Sequence, residues 1–344
     1  MSSAAELHII APGICGPLAE TRSLATDEVV VDWSKRLSKT DCQSSAVSKE
    51  GVITQLFGLQ TETDFPTAMF ELLATQDIEP GLTYMCADPV HLQADMDHAV
   101  LTSCEDLSLT DDESAELCTL LDEHFSQDGI RFLQRSKNRW MVSSTADISM
   151  STTPLCEAVG RNINFLLPQG ESSTYWKQVL TEAQMLLFSH EINTRRESQG
   201  RVSINSLWLY GSGSLPNVSA GDIDTVTAND DMLKGVARHA RCVYLQLPDS
   251  AAEYMKNLLE SDAQRHVLYL PDLEHLTNYT DVSLWSKQLG ELLKHWLYPL
   301  MQLSKKNGLT IFLYPCNGKR YRFSKYDDLK FWRRGKLEQH ITNY

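Results

Sequence analysis

Four short groupings in this chain combine residue types that could do chemistry. Asp88-Pro-Val-His91, with Asp95 and Asp97 close behind, gathers three carboxylates and an imidazole. Those are ligand types that a divalent metal needs to converge on it, although a solvated loop holds the same residues as readily. Asp272-Leu-Glu-His275 follows the apolar run His266 to Leu270, so it places a carboxylate and an imidazole at a strand end. A helix cap and its first turn would use the same residue types. Gly211-Ser-Gly213-Ser-Leu-Pro216 also follows an apolar run, and its glycines could bring backbone amides close to a phosphate. Pro216 stands where a nucleotide loop has its third glycine, and Gly-Ser-Gly is not the Gly-x-Ser-x-Gly of a hydrolase elbow. A tight loop at the carboxyl edge of a sheet, where α/β proteins bind ligands, is the default. Finally, His190, Asn193, Arg195 and Arg196 end a helical stretch. Cations are favoured at a helix C-terminus without any function, and arginine can also clamp phosphate in bidentate fashion.

The elements that must carry these residues are read from periodicity. Leu7 to Pro12 is a buried strand broken by Gly13, Gly16 and Pro17. Residues 35–50 are polar and Ser-rich and are predicted to be a loop. Residues 81–145 form a compact α+β module. It has strands over Leu82 to Ala87 and Ala99 to Thr102, with the polar stretch Asp88 to His98 between them. A helix covers Glu113 to Phe125, and a hairpin of Ile130–Leu133 and Trp140–Val142 turns around Ser136 to Asn138. Beyond it come a helix from Trp176 to His190 and a strand from Ser206 to Tyr210. Strands at Cys242 to Leu247, His266 to Leu270 and Leu309 to Tyr314 alternate with helices over Ala252–Leu259 and Leu284–Leu300. Such alternation predicts an α/β fold, a doubly wound, mostly parallel sheet covered on both faces. The predicted organisation is a core domain of residues 1–80 and 146–344 and a small inserted α+β domain of residues 81–145.

Composition narrows the function classes. The chain has 344 residues, 42% hydrophobic and 22% charged, which suits a globular protein. A net charge of −14 argues against broad binding to nucleic acid or anionic membrane. The exception is a basic run from Lys319 to Lys336, interleaved with Tyr321, Phe323, Tyr326, Phe331 and Trp332. Aromatics between cations are one recipe for single-stranded nucleic acid. An edge segment with its aromatics turned inward is the bland alternative, and the charge could also pair with an acidic patch on the same body or on a protein partner. The eight cysteines form no C-x-x-C pair, which is neither a zinc-site nor a disulfide-scaffold pattern. No signal peptide and no membrane-spanning run is read, so the expected location is the cytoplasm.

From Leu167-Pro168 through Ser189-His190-Glu-Ile-Asn193-Thr-Arg195-Arg196 and Gly200 to Ile204-Asn205-Ser-Leu-Trp208-Leu-Tyr-Gly211-Ser-Gly213-Ser-Leu-Pro216, the chain resembles archaeal-type cofactor-independent phosphoglycerate mutases. With the segment Ala87-Asp88-Pro89-Val90-His91-Leu92 it is closer still to a bacterial group of RpfE-type regulatory proteins. The resemblance covers most of residues 80–245. It implies an alkaline-phosphatase-like core with an inserted domain. It also implies a cleft for a small phosphorylated ligand lined by Asn193, Arg196, Asn205, Gly211 and Gly213, with Arg161 and Asn162 as additions.

The departures from that family bear on activity. Such mutases hold two divalent metals with Asp and His residues and use a transient serine phosphate acceptor. The first metal Asp ends strand one, where this chain has Ala11-Pro12-Gly13. A later Asp-His pair follows the last core strand, where this chain has Tyr314-Pro-Cys-Asn317. Without divalent charge neither the nucleophile nor the phosphate is neutralised. The expectation is therefore a non-catalytic, ligand-binding or regulatory relative with no cofactor. The alternative is a metal-dependent phosphomutase or phosphatase with rebuilt ligands, which would need Mn²⁺ or Zn²⁺ held by Asp88, His91, Asp272 and His275.

Overall fold

The computed structural model describes residues 5–16, 27–61, 64–75, 78–95, 98–103, 107–146, 148–219, 222–278, 282–324, 326–327, 330 and 333. The chain divides into two compact units, Met1–Gln60 with Asn217–Tyr344, and Thr61–Pro216. The first unit opens with β1 (Glu6–Ile10), α1 (Glu28–Lys39), β2 (Asp41–Ser44), α2 (Lys49–Phe57) and β3 (Leu59–Gln60). The second unit follows as α3 (Thr67–Thr75), β4 (Thr83–Asp95), β5 (His98–Ser103), α4 (Asp111–Phe125), β6 (Ile130–Ser136), β7 (Arg139–Ser144), α5 (Leu155–Ala158), α6 (Ser173–Ser189), α7 (Glu191–Ser198) and β8 (Ser206–Tyr210). The chain returns to the first unit with β9 (Asn217–Val218), β10 (Thr225–Thr227), α8 (Asp231–Ala240), β11 (Val243–Leu245), α9 (Ala251–Leu259) and β12 (Arg265–Tyr269). It closes with α10 (Val282–Leu292), a π turn, α11 (Tyr298–Asn307), β13 (Thr310–Tyr314) and β14 (Lys319–Phe323).

The first unit is built on a seven-stranded sheet in the order β11-β10-β12-β1-β13-β14-β2. The five strands from β11 to β13 are parallel, and β14 and β2 extend the edge antiparallel. The protein is thus a mixed α/β protein with a mostly parallel central sheet. Its chain steps outward from β10 to β11, then back past β10 to β12 and past β1 to β13. Right-handed crossovers in opposite directions put α8 on one face and α9, α10 and α11 on the other. Alternation along β1 serves this arrangement: Leu7 and Ile9 enter a core with Trp33 and Leu37 of α1, Tyr254 of α9, and Trp285 and Leu289 of α10. Each such fully buried side chain contributes about 1.5–3 kcal/mol through the apolar area it removes from water.

In the second unit every strand pairing is antiparallel: β4 runs against β5, β7 and β8, and β6 against β7. α4 starts at a capping box, in which the Thr110 hydroxyl accepts from the Glu113 amide and the Glu113 carboxylate accepts from the Thr110 amide. Leu117, Cys118, Leu121 and Phe125 of α4 meet Trp140 of β7 and Trp176, Val179 and Leu187 of α6 in one core.

Three readings of the sequence change. Residues 35–50 are not a loop; they hold the end of α1, all of β2 and the start of α2. All four residues of β2 are exposed, so it carries no apolar pattern and is held by its backbone ladder to β14. The polar stretch Asp88 to His98 is not a connection, because β4 runs unbroken from Thr83 to Asp95. Ser206 to Tyr210 joins the antiparallel sheet beside β4 and not the parallel one. Gly211 therefore does not lie at the carboxyl edge of the parallel sheet. The stretch 81–145 shares its unit with residues 146–216.

Candidate functional site

Apart from Asp272 and His275, the residues singled out by motif fall in the second unit, and most of their polar side chains are engaged within it. Arg196 on α7 is 0% exposed. Its Nε donates to the Val202 carbonyl at 2.8 Å, Nη2 to the Leu107 carbonyl at 2.5 Å and Nη1 to Glu113 Oε2 at 2.7 Å. Arg201 donates to both carboxylate oxygens of Glu113, at 2.9 and 3.0 Å. Burial works to raise the Glu113 pKa, but the bonds from Arg201 and the Thr110 amide and the charges of Arg196 and Arg201 hold it below the ordinary value. One glutamate thus caps α4 and neutralises two arginines.

Asn193 is buried and donates from Nδ2 to the carbonyls of Leu187 and Ile204, both at 2.7 Å, while its Oδ1 accepts from the Ile204 amide at 2.8 Å. It stitches the end of α6 to the strand that follows. Asn205 does the same work at a sheet edge. Its amide group accepts from the Leu92 amide at 2.8 Å and donates to the Leu92 carbonyl at 3.0 Å, continuing the β4–β8 ladder with a side chain. His190 caps α7. Arg161 and Asn162 are exposed, and Asn162 accepts from the Asn164 amide at 3.0 Å.

Gly211 and Gly213 have φ of +66° and +137°, backbone that side chains other than glycine rarely adopt. A β-carbon on Gly211 would stand 2.8 Å from Thr67 Cβ. Gly211→Ala is expected to destabilise the second unit by about 1–3 kcal/mol, read by urea unfolding, because both the dihedral and the space forbid it.

The four metal candidates do not converge. Asp88 and His91 both lie on β4, but an odd separation on a strand points them to opposite faces. Asp88 is 1% exposed and saturated: it accepts from the Tyr210 hydroxyl at 2.9 Å and the Trp140 amide at 3.2 Å and pairs with Arg139 at 3.1 Å. Tyr210 also accepts a hydrogen bond from Arg139. Against the desolvation that would lower it, the Asp88 charge keeps the Arg139 pKa well above its ordinary value. His91 Nδ1 bonds the Ser203 carbonyl at 2.9 Å, so it carries its proton there. Asp272 and His275 are exposed, and they belong to the first unit. The Asp95 side chain and Asp97 lie outside the described residues. Among the described residues no three His, Cys, Asp or Glu side chains are grouped to hold a metal ion. Among the described residues these four side chains do not come together as a ligand set.

The carboxyl ends of the parallel strands carry a different constellation, which motif reading missed. Leu270 follows β12 and bonds the Ile10 carbonyl, and Ala11 bonds the Tyr314 carbonyl, so the three strand ends lie side by side. The loops there offer Ala11, Pro12, Pro315, Cys316 and Asn317. In the Asp272–His275 turn Leu273 is buried in the core and the half-buried Glu274 turns toward Lys49. Lys49, at the N-terminus of α2, reaches Glu274 Oε1 at 3.1 Å and the Tyr269 hydroxyl at 3.4 Å, and Tyr269 donates to Glu274 Oε2 at 2.7 Å. Beside them Glu50 Oε2 is enclosed without a hydrogen-bond partner. Burial raises the Glu50 pKa, the Lys49 charge opposes this, and Glu274 and Asp230 add to the rise. The available signal was Ser48 followed by two charged residues, an N-cap pattern hidden inside a stretch read as loop.

A raised carboxyl pKa means that the folded state holds its proton more tightly than the unfolded state. The associated stability is intact at acid pH and is lost as pH rises through the folded value. Glu50→Gln is therefore expected to match wild type near pH 4 and to exceed it at pH 8 by about 1–3 kcal/mol. Thermal melts at the two pH values check this.

The basic run is partly neutralised within the first unit. Lys330 pairs with Asp41 at 3.1 Å and Asp327 at 2.9 Å, and Arg333 pairs with Asp41 at 3.1 Å. Tyr321 is fully buried and Arg320 lies over the Phe312 ring. Lys325, Phe331, Trp332, Arg334 and Lys336 lie outside the described residues. None of the described helices is long and apolar enough to cross a membrane.

The sequence comparisons find homology to archaeal 2,3-bisphosphoglycerate-independent phosphoglycerate mutases. The chain is 25% identical over 166 residues to the 2,3-bisphosphoglycerate-independent phosphoglycerate mutase of Methanosarcina mazei, a match covering 45% of this chain and 42% of that one. It is 27% identical over 147 residues to such a mutase, numbered 2, from Methanothermobacter thermautotrophicus, covering 40% of this chain and 36% of that one. Each match thus spans less than half of the relative's length. The solved cofactor-independent phosphoglycerate mutase of Thermoplasma acidophilum overlays 93% of this chain and 90% of its own, at 14% identity and a TM-score of 0.41. No protein-family model matches the chain.

Proposed function

We propose that this chain is a phosphoglycerate-mutase-like protein that binds a small phosphorylated ligand or a protein partner without carrying out two-metal phosphoryl transfer. A regulatory role of the RpfE type and a cytoplasmic location belong to the same reading. The observation that carries it is the set of groups at the parallel strand ends. Two cations held near each other need several carboxylates and imidazoles to offset their repulsion. Ala11, Pro12, Pro315, Cys316 and Asn317 supply none, Glu274 is paired with Lys49, and Glu50 beside it is a buried carboxyl whose pKa is raised. A lysine ammonium brings one fixed positive charge, not a Lewis acid, so it can attract an anion but cannot activate a serine as a divalent ion does.

The test is turnover. Purified protein supplied with Mn²⁺ or Zn²⁺ should neither interconvert 2- and 3-phosphoglycerate nor release inorganic phosphate from either. Metal-dependent turnover that persists through repeated chromatography would reject the reading in favour of a phosphomutase or phosphatase with rebuilt ligands.

A further inference from the structure

A cavity of about 350 Å³ lies in the first unit between α1, α11 and the end of β14. That falls within the size range of small-molecule sites. Two helical stripes face it. Lys35, Arg36 and Lys39 recur at the spacing of one face of α1, and Tyr298, Met301 and Lys305 at that of one face of α11. Phe323, the last residue of β14, joins Met301 to make the apolar part. Its ring stacks on Trp33 at 6.3 Å between centroids, which holds it in place, and the rest of the ring lines the cavity. α11 leads straight into β13 and α1 into β2, so the last turns of both helices stand at the amino edge of the sheet. Glu274 belongs to the opposite edge.

The lining is positive although the chain as a whole carries −14. Among the described residues, Lys35, Arg36, Lys39 and Lys305 stand there against Asp32 and Asp327. Both carboxylates are occupied. Asp32 accepts from Arg36 Nε at 2.9 Å and from the Tyr298 hydroxyl at 2.8 Å. Asp327 is buried, accepts from the Ser324 amide at 2.7 Å and pairs with Lys330 at 2.9 Å. Lys35 and Lys39 make no hydrogen bond or ion pair among the described residues. Part of this charge has a plain structural use, because Lys39 and Lys305 sit in the last turns of their helices, where cations are favoured. Each helix end carries roughly half a negative charge, so the two ends together offset about one cation. The four cations outnumber the two carboxylates by more than that, even before Lys330 is counted. A positive remainder therefore stands beside a fixed apolar surface.

We infer that this groove binds a small organic dianion, a phosphate monoester whose alcohol part is a flat apolar ring. Lys35 and Lys39 lie four residues apart on one helix and are neighbours on its surface, so a doubly charged group can answer both ammonium groups at once. The ring rests on Phe323 and Met301. The inference concerns the amino edge of the sheet and holds whether or not the strand ends at the other edge take up metal.

Titration calorimetry of the full chain with phenylphosphonate, whose carbon–phosphorus bond resists hydrolysis, tests it. A Kd below about 1 mM is expected at low salt. Inorganic phosphate should bind more weakly for want of the ring, benzyl alcohol should give no heat for want of the charge, and added salt should weaken the phenylphosphonate complex. Lys35→Glu with Lys39→Glu should weaken it by roughly tenfold or more. Lys177→Glu with Lys256→Glu changes the net charge equally but on α6 and α9, and should leave the affinity unchanged. Circular dichroism checks that both double variants are folded, and Lys35→Gln with Lys39→Gln gives the same readout without placing negative charge at a helix end. A Kd above the millimolar range, phosphate binding as tightly as phenylphosphonate, or equal weakening by the two charge-reversed pairs would each overturn the assignment.

Discussion

Arg196→Ala is expected to destabilise the second unit by about 3–5 kcal/mol, the loss seen when one member of a buried ion pair is removed. The variant removes one of the two arginines that pair with Glu113, leaving Arg201, and leaves the carbonyls of Leu107 and Val202 without their donor. Arg196→Lys should recover only part of this, because a single ammonium cannot reach three acceptors that a planar guanidinium bonds together. Urea unfolding followed by fluorescence of Trp140 and Trp176 reads the effect. The pH dependence carries a second signature. Glu113 has a depressed pKa, so its stabilisation is present above the ordinary value of 4.5 and fades as pH falls below it. That acid-side loss should be smaller in Arg196→Ala than in wild type. A loss within about 0.5 kcal/mol would mark Arg196 instead as a surface-type residue, available to a ligand.

Asp88→Ala is the second large effect, also about 3–5 kcal/mol. It removes the partner of Arg139, the acceptor of the Tyr210 hydroxyl and the acceptor of the Trp140 amide in one step. Asp88→Asn keeps the volume but can offer only one acceptor oxygen, so an intermediate loss is expected. Were Asp88 a metal ligand, its removal would lower metal affinity and leave unfolding in chelator unchanged. Unfolding in chelator that shifts as strongly as in metal-containing buffer distinguishes the structural role.

The carboxylates and arginines of these predictions also show where the sequence was legible. Apolar spacing located β1, β12, β13, α4 and α9, because each buries one face or both and the pattern follows directly from that. β2 escaped notice because an edge strand held by backbone bonds needs no apolar residue. Asp88 to Asp95 escaped because polar residues inside a strand look like loop until their partners, Tyr210, Arg139 and Ser203, are brought from elsewhere in the chain. The same reason hid the site. Spacing pointed to Asp272 and His275, whose side chains face water, while Glu274 between them turns inward to a lysine distant in sequence. Motif residues such as Asn193 and Asn205 are chemically fit for a ligand, but their amides are equally fit to complete a broken backbone ladder, and only coordinates tell the two uses apart.

The central claim is that the first unit's strand ends lack the donors for a pair of divalent ions. Elemental analysis of chain purified in Mn²⁺ and Zn²⁺, joined to a calorimetric titration with each ion, addresses it without recourse to activity. The account predicts substoichiometric metal after gel filtration and no binding tighter than the millimolar range. Two equivalents of tightly held metal per chain, lost when Glu274 or Glu50 is replaced, would contradict it.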